Sequence, residues 1–243
     1  MLHRHRERPK YESDEDLAQA VVGVGPCTYL LLALLGLIII YPYCKNAGLP
    51  GRIILAILYS LVLIGGTYAT SRSRDSLIIG IILALLGITL QWTALFTGHA
   101  IFLRLTGVVF LIFLTFQIGL VLRYLLMKGP ITADKLHGAL AGYIMIALFW
   151  AFIYTLIESF IPGSFNIPQE NTQFPQNMFY HLLYFSFTTL TTVGYGDITP
   201  VTDQARSLVM IEQLGGVFFV AVLIARLAGL YPPRPDLPPA DRG

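Results

Sequence analysis

Charge is what this sequence has least of. Asp, Glu, Lys and Arg make up 12% of its 243 residues, about half the fraction usual in a soluble domain, whereas apolar residues make up 55% and mean hydropathy is +0.68. Such a chain belongs in a membrane. A formal net charge of +2, with the basic residues near helix ends rather than in a patch, gives no footing for nucleic acid. Cysteine is scarce too. Cys27 and Cys44 stand seventeen positions apart in one apolar segment, about 25 Å along a helix and beyond disulfide reach, so both read as apolar packing. The polar start MLHRHRERPKYESDEDLAQ lacks the basic region running straight into an apolar core that marks a signal peptide. The first apolar segment is therefore expected to stay in the mature chain, with SDED at 13–16 as a helix start. His99, His137 and His181 are isolated, and no H-E-x-x-H or G-x-S-x-G pattern occurs, so no enzyme chemistry is expected. The terminal YPPRPDLPPADRG is proline-rich and too short to fold as a nucleotide- or calcium-binding domain.

What the sequence does have is long apolar runs. Six reach the roughly twenty residues a spanning helix needs: 21–41, 53–70, 77–96, 105–122, 138–160 and 205–230. Between the fifth and sixth, the polar PGSFNIPQENTQFPQN precedes a shorter apolar piece, 178–190, of the length expected for a re-entrant helix. The fold class expected is an all-α membrane protein. Its divisions are an N-terminal segment (1–20), a four-helix membrane domain (21–128), a helix–loop–helix unit (137–231) and a proline-rich tail (232–243). Twelve of the sixteen Lys and Arg fall on one side of this topology; only Lys45, Arg52, Arg104 and Arg206 fall on the other. The positive-inside rule then puts both termini in the cytoplasm and the re-entrant segment on the outer side.

Against this apolar background stands TTLTTVGYGDITP at 188–200. Irregular backbone at membrane depth is tolerated only where it is buried in protein or lines a watery cavity. Gly194 and Gly196 can take positive φ without steric cost, so the chain can alternate handedness and aim successive carbonyl oxygens at one axis. The preceding helix, from about residue 177 to 190, would point its negative end at the same place. Each feature favours a cation.

TTVGYGD resembles the selectivity-filter signature of the tetrameric potassium channels. The resemblance covers 137–231 and implies a homotetramer in lipid that conducts K+ passively without a cofactor; the six apolar runs would make six transmembrane helices per subunit. By resemblance, the carbonyls of Thr192, Val193, Gly194 and Tyr195, with the Thr192 hydroxyl, line successive K+ sites, and Gly196 permits the outer turn. Thr191 and Asp197 support the filter, Asp197 at its extracellular mouth. Many relatives brace the filter tyrosine with two tryptophans; here Tyr184 and Phe185 hold those positions. Gly216 lies twenty residues after Gly196, where many relatives carry a hinge glycine, with Gly215 beside it; close helix packing is the competing reading. Val220, Ile224 and Ala228 recur every four positions and share a face expected to line the inner cavity.

Helix four lacks what a voltage sensor needs. Moving one elementary charge through 100 mV is worth only ~2.3 kcal/mol, so several arginines are required within the field. Between Arg104 and Arg123 there is none; these two, about 28 Å apart, read as interfacial anchors. Nor does any Asp or Glu occur from 17 to 74 or from 76 to 133. Weak voltage dependence is expected. Glu212, alone among ionisable residues between Arg206 and Arg226, is costly at that depth unless paired, protonated or wet. The resemblance sets it behind the re-entrant helix, near the hydroxyls of Ser186, Thr188 and Thr189, as a filter support. Two alternatives to a K+ channel are a non-conducting regulatory subunit with a pore-like sequence and a less selective cation channel.

Overall fold

The computed structural model of the chain describes residues 25–44, 47–70, 73–127, 132–167 and 175–228. In order these form α1 Pro26–Cys44, α2 Gly48–Thr70, α3 Arg74–Thr97, α4 Ala100–Leu126, α5 Ala133–Phe160, β1 Phe165–Asn166, α6 Pro175–Leu190, β2 Thr199–Pro200 and α7 Asp203–Ala228. All but α6 of these helices are long and apolar enough to cross a membrane. This is an all-α membrane protein. SDED and the tail after 228 lie outside the described residues.

Helices α4 and α5 are longer than the apolar runs that announced them. The count of apolar residues stops near the first charge, but the backbone continues through Arg104, Arg123 and the Asp134–Lys135 pair. Local chemistry sets the real ends. Ser73 accepts from the Ser76 amide (3.2 Å) before α3, and Gly98, at φ 68, closes it. Thr132 accepts from the Lys135 amide (3.3 Å) before α5, with Asp134 in the first turn. Pro26, with no N–H to leave unmet, opens α1.

One apolar core runs through both parts of the chain. Leu30, Leu34 and Leu37 of α1 join Val62 of α2, Leu114 and Val121 of α4, Met145 and Leu148 of α5, and Phe179 and Leu183 of α6. Both cysteines are buried, and no disulfide joins them. Where α1 begins and α4 ends, polar groups fasten the helices. Asp134 accepts from the Cys27 amide (2.9 Å) and the Tyr124 hydroxyl (3.0 Å), and Thr28 pairs with His137 Nδ1 at 2.8 Å. Arg226, near the end of α7, donates to the carbonyls of Leu126 and Met127, both at 3.1 Å. These are terminal acceptors of α4, and a cation suits that end of a helix.

At the opposite end, β1 and β2 pair antiparallel, Phe165 against Pro200 and Asn166 against Thr199. Glu158, the last acid of α5, accepts from the amides of Gly163 (2.7 Å) and Phe165 (3.0 Å). The turn after α5 is thereby tied to the segment that follows the glycine-rich loop.

Candidate functional site

Helix α6 has 16 residues, about 24 Å of length, and is packed on protein over Leu182, Leu183, Phe185, Ser186, Thr188, Thr189 and Leu190, all buried. A helix leaves its last four carbonyls without intrahelical donors. In α6 every one of them is met. The Phe187 carbonyl accepts from the Thr191 amide (3.0 Å) and the Thr189 carbonyl from the Thr192 amide (3.0 Å). The Thr188 carbonyl takes the amides of both Val193 (2.9 Å) and Gly194 (3.0 Å). The fourth, Leu190, is met by the hydroxyl of Tyr143 on α5, at 2.9 Å. The loop thus leaves the helix already bonded to its last turn.

Along the loop, φ is positive at Thr192 (61), Gly194 (53) and Gly196 (80), and Val193 and Tyr195 between them are not positive. Two of these positions were legible as glycines. Thr192 was not, because a β-branched residue pays about 1–2 kcal/mol to sit there; the bonds of the next two amides to Thr188 hold it. The Tyr195 ring stacks on Tyr184 at 6.4 Å between centroids and 4° between planes. Asp197 lies beside the Tyr184 hydroxyl. Phe185 instead packs inward, 5.6 Å from both Tyr154 and Phe165.

A family described as "Ion channel" matches residues 142–231. The potassium channel protein kcv of Paramecium bursaria Chlorella virus 1 is 35% identical over 82 residues, 33% of this chain and 85% of that protein. The chain belongs to the potassium channel superfamily. The chain spans only 23% of each of two further relatives. One is the hyperpolarization-activated voltage-gated potassium channel of Methanocaldococcus jannaschii, 43% identical over 51 residues, 21% of this chain. The other is the calcium-gated potassium channel TvoK of Thermoplasma volcanium, 30% identical over 83 residues, 33% of this chain. No solved structure matches.

In this channel-family chain, Glu212 of α7 has no exposed surface and is held by two hydroxyls. Tyr154 of α5 donates to Oε2 and Ser186 of α6 to Oε1, each at 2.5 Å. Of the three hydroxyls expected around it, only Ser186 bonds the carboxylate. Thr188 turns back to the Phe185 carbonyl (2.9 Å), as helical threonines do. Tyr154 and Tyr143 escaped the sequence reading, since a tyrosine in an apolar run looks like packing until its partner on another helix is known. Thr191 bonds the Phe187 carbonyl through its hydroxyl (2.6 Å).

Helix α7 runs unbroken through Gly215 and Gly216. A Cβ at Gly216 would stand 2.5 Å from the Leu190 carbonyl oxygen, whereas one at Gly215 would meet nothing within 4 Å. Gly216 therefore lets α7 come close to the end of α6. Val220 and Ile224 are exposed on the single chain (41% and 60%); the side chain of Ala228 lies outside the described residues.

Proposed function

We propose that the chain conducts potassium ions passively across a membrane as a homotetramer, with its four TVGYG loops around one axis. The observation that carries this reading is the positive φ at every second residue, Thr192, Gly194 and Gly196, immediately after the buried C-terminal end of α6. Alternating handedness turns successive carbonyls to one side, where those of Thr192, Val193, Gly194 and Tyr195, with the Thr192 hydroxyl, replace the ion's water. Gly196 makes the outer turn, and Thr191, Asp197, Tyr184, Phe185 and Glu212 support the loop. Four copies account for the exposure of Val193 and Tyr195 (53% and 72%) and of Val217 and Phe218 on α7. Val220, Ile224 and Ala228 then face the inner cavity, with Gly215 and Gly216 above it. No cofactor beyond the permeant ion and no chemical reaction is involved. Both termini face the cytoplasm.

The test is reconstitution in liposomes with opposed K+ and Na+ gradients. The reversal potential should follow K+, and Gly194→Ala or Gly196→Ala should abolish that preference because their φ values suit glycine. A reversal potential following Na+ in the unaltered protein, or no current, would overturn the reading.

A further inference from the structure

We infer that Tyr143 is a positioning residue for the ion path: its hydroxyl holds the one terminal carbonyl of α6 that the filter loop itself cannot reach. The inference rests on the conduction reading above and adds to it a residue on α5, far from the signature in sequence. Three of the last four α6 carbonyls accept from loop amides within the next few residues. Leu190 is the exception. Its own loop turns away at Thr192, where φ reverses sign, so no nearby amide comes back to it. Tyr143, 47 positions earlier, supplies the missing donor at 2.9 Å.

The surroundings make this contact narrow. The tyrosine ring lies against Phe219 of α7, 5.6 Å between centroids, and Gly216 of α7 leaves just enough room for the Leu190 carbonyl. Helices α5, α6 and α7 all meet at one oxygen, two residues before Thr192. With Tyr143 in place, that carbonyl is committed to protein. Without it, the carbonyl is an unmet acceptor at the negative end of a helix, free to rotate and take water or an ion, and the Thr191–Thr192 turn loses its fixed starting point.

The decisive variant is Tyr143→Phe, which keeps the ring and removes only the donor. Loss of a single hydrogen bond of ordinary strength should change the balance between conducting and non-conducting filter states about fivefold. Single-channel recording should show this as altered closed times that respond to replacing K+ by Rb+, because ions in the filter oppose its rearrangement; a purely structural loss would lower channel number without that ion dependence. A 13C=18O label on the Leu190 carbonyl gives a readout independent of current, its infrared band moving to higher frequency in Tyr143→Phe. Gly216→Ala, which presses on the same oxygen from the other side, should perturb the same band and the same closed times. An unmoved band, or a moved band with unchanged closed times, would overturn the positioning role. Failure of the unaltered protein to carry K+ would count against the conduction reading instead, with the band still reporting on the bond.

Discussion

Glu212 and Gly216 stand one turn apart on α7 and meet α6 in opposite ways, the first through two donated hydrogen bonds, the second by having no side chain. A buried carboxylate that ties Tyr154 of α5 to Ser186 of α6 is a three-helix joint. Removing it leaves the buried Tyr154 hydroxyl without its acceptor, while the Ser186 hydroxyl keeps the Ala147 carbonyl at 2.9 Å, so Glu212→Ala should weaken the assembly by about 2 kcal/mol. Glu212→Gln keeps the shape and one acceptor oxygen. It should preserve assembly and K+ selectivity while changing open probability. Thermal unfolding of the purified protein reads the first effect and single-channel recording the second; an alanine variant as heat-stable as the parent would show that the joint does not hold the three helices together.

Helix α6 is packed from both sides, and one side belongs to the first four helices. Phe179 lies 4.6 Å from Phe152 of α5, 6.0 Å from Tyr41 of α1 and 6.3 Å from Tyr59 of α2, and Tyr41 also stacks on Tyr180 at 5.4 Å. The viral relative matches this chain over most of its own length with 82 residues, whereas here the corresponding helices are sealed against α1 and α2. Phe179→Ala should therefore cost about 3–5 kcal/mol. A chain cut to residues 132–228 should be less heat-stable than the full chain, because Met145, Leu148, Phe179 and Leu183 lose their cover. Equal stability of the two would refute a bracing role for the first four helices. Sequence patterning made the spanning helices and the short re-entrant one legible, since length and hydropathy are local properties. Glu212 was legible as a carboxylate in need of partners. Its actual partner Tyr154, 58 positions away, was not, nor was the aromatic contact of Tyr41 with Phe179: neither leaves a periodic mark in the chain.

Over the molecule, the described parts of α1 to α4 carry charge only near their ends, at Arg52, Arg74, Asp75, Arg104 and Arg123. Arg104 is already engaged with the end of α5, donating to the Ser159 carbonyl (3.3 Å) and lying 5.2 Å over the Phe160 ring. Nothing there is placed to travel through the membrane field, so open probability should vary only shallowly with potential, and a measured gating charge of several elementary units would contradict this. Arg226→Gln should leave selectivity intact but loosen the attachment of α7 to the end of α4, read as faster hydrogen exchange at the amides near residue 226. The bond from the Cys27 amide to Asp134 reaches across 107 positions. During synthesis the first helix must wait for the fifth before that bond can close, its exposed amide held by water meanwhile. Final docking of the earliest helix is thus a late event, timed by the arrival of α5 rather than by the helix's own emergence.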